Sequence, residues 1–100
     1  MEKLLIELKK YLKVEHDIED DLIKDFIELS KEYIQQKTGV QYDENDLIFK
    51  DCLRLMVAYR YYNRNAIGEK NLSEYPYSIT EHLKTLSFRG AKNGWLRKIW

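Results

Sequence analysis

Leu47 to Arg64 reads L-I-F-K-D-C-L-R-L-M-V-A-Y-R-Y-Y-N-R. Phe49, Leu53, Met56, Val57 and Tyr61 recur at the spacing of one helical face, and Cys52, Leu55 and Tyr59 widen it. An apolar arc that broad predicts a helix at the centre of a core. Its C-terminal end is unusual, because it closes on tyrosines and arginines instead of a plain cap. Cys52 lies within the apolar set with no histidine near it in sequence, so it is expected to act as a small buried hydrophobe.

Three further helices frame this one. Leu4, Leu5, Leu8, Tyr11 and Leu12 mark one face of a first helix over about residues 2–13, with Lys9, Lys10 and Lys13 at the negative end of its dipole. A second helix is predicted to start at Asp17 as N-cap, with Glu19, Asp20 and Asp21 in its first turn and Thr38-Gly39 at its end. Leu22, Phe26, Leu29 and Tyr33 are its expected buried stripe, widened by Ile18, Ile23, Ile27 and Ile34. Asp43, Asn45 and Asp46 are candidate caps for the third helix. Asn65 to Glu74 is predicted to be a polar loop.

After Pro76, the segment Ser78-Ile79-Thr80-Glu81 fits a capping box and predicts a short fourth helix to about Leu86. Gly90 and Gly94 then argue against one continuous helix through the C-terminal segment, F-R-G-A-K-N-G-W-L-R-K-I-W. No strand alternation is present. The expected fold class is all-α: a compact bundle of about four helices in residues 1–88, with an extended or partly helical C-terminal arm over residues 89–100.

One hundred residues, 44% of them hydrophobic, with one proline and four glycines, describe a single ordered domain. No apolar run approaches the roughly 18–20 residues that cross a bilayer. The first ten residues lack a signal peptide's uncharged core, and one cysteine permits no intrachain disulfide, so the chain is expected in the cytoplasm when made.

Chemistry finds little support. His16 and His82 fall in different elements, and with a single cysteine they make no metal set. Helix initiation accounts for the Glu19-Asp20-Asp21 carboxylates, and the glycines fit no phosphate loop. Neither a catalytic residue, a metal nor a cofactor is expected.

The zero net charge hides a division. Residues 1–46 hold 7 Lys+Arg against 13 Asp+Glu, and residues 47–100 hold 10 against 4, a balance of −6 and +6. Neighbouring helices could pair these charges within one molecule. Alternatively they could orient copies head to tail, with Asp20 and Asp21 on one surface and Arg60 and Arg64 on the other. Basic residues on the third helix (Arg54, Arg60, Arg64) and near the end (Arg89, Lys92, Arg97, Lys98) leave a second option, a small helical DNA-binding regulator. A helical inhibitor of an enzyme is a third. Trp95, Leu96, Ile99 and Trp100 either close the core or form an arm for another protein, since Trp and Arg dominate interface hot spots.

Taken in order, L-K-K-Y-L-K-V (8–14), D-D-L-I-K-D-F-I (20–27), Y-I-Q-Q-K-T-G (33–39), L-R-L-M-V-A-Y-R-Y-Y-N-R (53–64) and Y-P-Y-S-I-T-E-H-L (75–83) resemble the head–tail connector family of tailed bacteriophages. Members are also called head-completion or DNA-packaging adaptor proteins. The resemblance implies a non-enzymatic subunit at the virion head–tail junction. It further implies a homo-oligomeric ring, of about twelve copies, built from a heterologous contact that closes on itself. That ring sits under the portal protein, meets a downstream neck or tail-joining protein, and passes phage DNA without sequence-specific binding. By the same resemblance, Arg89, Lys92, Trp95, Leu96, Arg97, Lys98, Ile99 and Trp100 are the candidate portal grip. Tyr62 departs from the family, which commonly carries an acidic residue before the Asn-Arg pair.

Overall fold

The wide apolar face of Leu47–Tyr62 needs neighbours on several sides, and the computed structural model supplies three. It describes residues 2–63 and 76–99, with side chains for 3–63 and 76–90. Helices α1 (Glu2–Leu12), α2 (Asp20–Thr38), α3 (Leu47–Tyr62) and α4 (Tyr77–Ile99) follow in chain order, with no strand among the described residues. The α2–α3 pair forms the middle of the bundle. Among the described residues, α1 and α4 each pack on both of these helices and not on each other. The expected Asn65–Glu74 loop lies outside the described residues, as does Arg64.

Phe49, Cys52, Leu53, Met56 and Val57 of α3 are fully buried, as the spacing predicts. Each removes a side chain from water at a gain of about 1.5–3 kcal/mol for the larger ones. Leu4, Leu5, Leu8 and Leu12 of α1, with Ile79 and Leu86 of α4, complete the core.

The α2 stripe differs from the expected one. Its buried residues are Ile23, Ile27, Ser30, Ile34 and Thr38, so the helix is rolled toward the set that sequence reading placed at the margin. Leu22, Phe26 and Tyr33 are half-buried, while Leu29 and Ile18 are exposed. On a helix apolar over so wide an arc, periodicity does not choose the centre; contact with both α3 and α4 does.

The tyrosines ending α3 are explained by neighbouring helix ends. The Tyr61 hydroxyl donates to Glu19 Oε1 at 2.6 Å, and the Tyr62 hydroxyl donates to the Leu12 carbonyl at 3.0 Å. Leu12 is the last residue of α1, where carbonyls have no partner inside the helix. Asn63 closes α3, its backbone and side-chain amides both donating to the Tyr59 carbonyl.

Several terminal assignments move. Asp17 is not the cap of α2; Glu19 holds that position without a side-chain cap bond. Asp17 instead pairs with Lys9 Nζ at 2.8 Å, and the same ammonium reaches Asp20 at 2.7 Å, tying α1 to the start of α2. Of the three candidates for α3, Asp46 is the cap, accepting from the Phe49 amide. The Ser78 capping box does not form. α4 has already begun at Tyr77, the Pro76 carbonyl takes the Thr80 amide, and Glu81 faces Lys84.

α1 ends differently from α2. Lys13 adopts φ 62°, and the Val14 amide bonds back to the Lys9 carbonyl at 2.9 Å, the six-to-one bond of a Schellman closure. Half-buried Val14 packs on the core beside it. Gly39 plays the left-handed role at the end of α2, at φ 76°, as expected.

The largest correction is α4. It runs without interruption from Tyr77 to Ile99, past both glycines, instead of ending near Leu86. Gly90 shows why a glycine is kept there. A Cβ on Gly90 would overlap the Thr38 carbonyl oxygen and sit 2.8 Å from its carbonyl carbon. The Gly39 Cβ position lies 3.8 Å from Gly90 Cα. The two glycines let α4 cross the C-terminal end of α2 backbone to backbone.

Two stability outcomes follow from these contacts. Gly90→Ala should lower the unfolding free energy by about 1–3 kcal/mol in urea titration, because crowding against backbone outweighs the better helix propensity of alanine. Lys13→Gly should raise it by up to about 1 kcal/mol, since glycine enters the left-handed region without a Cβ penalty.

Candidate assembly surfaces

Bundling four helices leaves some charges tied inside the subunit and others facing outward. The tied ones come first. Arg89 Nη2 bonds Asp46 Oδ1 at 3.2 Å, so the residue that caps α3 also anchors α4. Partial burial alone would raise the Asp46 pKa, but Arg89 and the Phe49 amide outweigh it and hold the carboxyl below its usual value. One turn and a half further along α3, Asp51 accepts from Arg54 at 2.8 Å and meets His82 Nε2 at 2.7 Å. Here too burial pushes the carboxyl up, and His82 with Arg54 brings it below the usual value. The Arg54 guanidinium lies over the Tyr11 ring, 5.5 Å from its centre, which carries the connection on to α1.

No reactive centre arises from these groups. Cys52 is fully buried, and loss of hydration pushes its thiol up to about 12, far from a thiolate at neutral pH. His82 is committed to Asp51, and His16 lies 3.8 Å from Glu19 on the exposed approach to α2. Among the described residues no group of three His, Cys, Asp or Glu could hold a metal ion, and no helix is long and apolar enough to cross a membrane.

The residues expected at a subunit contact are not equivalent. Asp21 is exposed, whereas Asp20 is bridged to Lys9 and Arg60 is only 7% exposed within the core face of α3. Arg64 lies outside the described residues. Of the candidate portal grip, Arg89 is bound to Asp46. Lys92, Trp95, Leu96, Arg97, Lys98 and Ile99 fall on the last turns of α4, their side chains beyond those described, and Trp100 lies outside. The arginines offered as phosphate contacts are similarly engaged: Arg54 by Asp51, Arg89 by Asp46, and Arg60 by the core.

Sequence reading missed the outward apolar residues. Leu29 and Tyr11, both expected inside, are 52% and 43% exposed, and Leu47 at the start of α3 is 77% exposed. Tyr11 and Leu47 line an open groove between α1 and α3 with Glu7, Lys10, Lys50, Asp51 and Arg54. Leu29 stands on the outer face of α2 among Asp25, Glu28 and Glu32. A helical wheel centred on the isoleucines of α2 would have found Leu29 on the far side; nothing in the sequence selects that centre.

In this bundle many of the described polar side chains join one helix to another. Residues 2–88 match the Phage gp6-like head-tail connector protein family, and the chain belongs to that family. No curated protein and no solved structure matches it. As a connector it works at the virion head–tail junction, assembling with head and tail proteins, and its role is structural and not enzymatic.

The Asp51 cluster makes a pH prediction with a definite sign. A carboxyl whose folded pKa is depressed stabilises the fold above its unfolded value, near 3.8, and that contribution fades as pH falls through the folded pKa. Thermal melts from pH 6 down to about pH 2 should therefore show a falling melting temperature below about pH 4. Asp51→Asn should melt lower than the parent at pH 6, and the difference should shrink at the acid end.

Proposed function

We propose that this connector forms a closed homo-oligomeric ring beneath the portal, with about twelve copies arranged by one repeated heterologous contact. The ring extends the DNA channel and presents a surface to the next neck or tail-joining protein. Subunits gather on packaged heads in the host cytoplasm and remain at the head–tail junction of the virion. Family membership over residues 2–88 carries this reading.

Residues 1–88 serve as the connector domain and residues 89–100 as the arm that grips the portal. Three features support that division. The family match stops at residue 88, Gly90 is the point where α4 crosses the end of α2, and the following sequence interleaves Trp95, Leu96, Ile99 and Trp100 with Lys92, Arg97 and Lys98. Large aromatic anchors beside cations are what a protein surface binds most strongly. Asp21 contributes to the contact between copies from its exposed place on α2, while Asp20 and Arg60 support it from within the subunit; Arg64, the fourth residue assigned to this contact, lies outside the described residues.

DNA passes through the lumen without sequence-specific binding. A neutral subunit fits this role, because tight retention of DNA comes from many Lys and Arg contacts to phosphate. The engaged arginines of α3 add to the same argument against a DNA-binding regulator.

Deleting residues 91–100 keeps Gly90 and its contact with α2. The truncated chain should retain helical circular dichroism and a cooperative melt, yet fail to join packaged heads in a sedimentation assay. Head joining at the parental level would refute the arm assignment.

A further inference from the structure

The groove and the α2 ridge are opposite in net charge, each carries exposed apolar side chains, and they face opposite ways. Leu29, Asp25, Glu28 and Glu32 lie about half a turn around α2 from Ile23, Ile27 and Ile34, which pack toward α3 and α4. Leu47, Lys50, Asp51 and Arg54 lie on the side of α3 turned from Phe49, Leu53 and Met56. Because α2 and α3 share the core between them, the two patches occupy opposite flanks of one subunit.

Their chemistry differs in the sense an interface needs. The ridge sets one exposed leucine among three carboxylates, a charge of −3. The groove offers Tyr11 and Leu47 as an apolar floor, with Lys10, Lys50 and Arg54 against Glu7 and Asp51, a charge of +1. Two of its cations are already held in place: Lys50 by Glu7 at 3.1 Å, and Arg54 by Asp51 and the Tyr11 ring. Fixed side chains lose less entropy when a partner arrives. A groove volume of about 790 Å³ leaves room for a leucine and its flanking groups.

We propose that the Leu29 ridge of one subunit seats in the Tyr11–Leu47 groove of the next copy, making the head-to-tail contact of the ring. This rests on the ring proposed above and names its surfaces. Leu29 enters between Tyr11 and Leu47, and Asp25, Glu28 and Glu32 meet Lys10, Lys50 and Arg54. Two different patches on opposite flanks produce a heterologous contact, the kind that closes a ring when the rotation between copies permits. A self-complementary pair would need one patch to meet itself, and like charges around Leu29 oppose that.

Cross-linking tests the pairing. Leu29→Cys, Leu47→Cys and the double variant are mixed with packaged, tail-less heads of the encoding phage and treated with a short bismaleimide. Buried Cys52 stays unreactive, and the parent chain verifies this. The expected result is a ladder of covalent multimers from the double variant, with both single variants remaining monomers on a denaturing gel. Leu29→Asp should also weaken association between copies about tenfold or more, as loss of a central apolar anchor does. Rings that form on the heads without a ladder, or dimers from the Leu29→Cys single variant, would overturn this pairing and leave the ring intact. Heads that recruit only isolated copies of the parent chain would overturn the ring and this contact together.

Discussion

Everything in the subunit depends on α3 being covered on three sides. Five of its residues are fully buried, and α1, α2 and α4 all pack on it. Burial holds the helices against α3, and polar bonds at its two ends set where they begin and stop. Asp46 caps its start and binds Arg89 of α4; Tyr61 and Tyr62 at its finish reach Glu19 and the Leu12 carbonyl. A hydroxyl meeting an otherwise unpaired carbonyl at a helix end satisfies two groups with one bond. The Tyr62 hydroxyl does this for the Leu12 carbonyl, which a carboxylate at that position could not.

The same economy leaves the outer surfaces plain. Lys9 and Arg54 hold carboxylates of their own half of the chain, whereas Arg89–Asp46 and Lys50–Glu7 pair the basic half with the acidic one, so part of the −6/+6 division is spent within the molecule. Such exposed or half-exposed pairs contribute little stability each. Their value is geometric, because they hold the groove cations and the α4 crossing in fixed positions. A joining protein needs that rigidity more than it needs a reactive pocket. The acidic residues of α2 around Leu29 stand on its outer face, turned from the neighbouring helices.

What could be read from residues alone was considerable, and its limits are physical. The all-helical class, the α3 core, the Gly39 ending and Asp46 among the α3 caps were legible because each follows from local spacing or local backbone preference. The connector family was legible in the order of short segments. Asp17 and Ser78 were misjudged as caps for a shared reason: several polar residues near a helix start satisfy the same local rule, and the winner depends on where the neighbouring helix docks. Lys9 drew Asp17 away, and Pro76 let α4 begin one residue before Ser78. Of the candidate assembly residues, exposure kept Asp21 outward and burial drew Arg60 inward, a distinction that charge counting does not contain.

By itself, the sequence determined that this chain makes helices, where α3 has its apolar face, and which family it joins. Only the tertiary structure decided which arc of α2 is buried, and therefore that Leu29 faces out. It also decided that α4 continues through Gly90. Local periodicity describes one helix in isolation, whereas the roll of α2 and the passage of α4 over the Thr38 carbonyl are set by the distance between two backbones. That distance is a property of the packed pair.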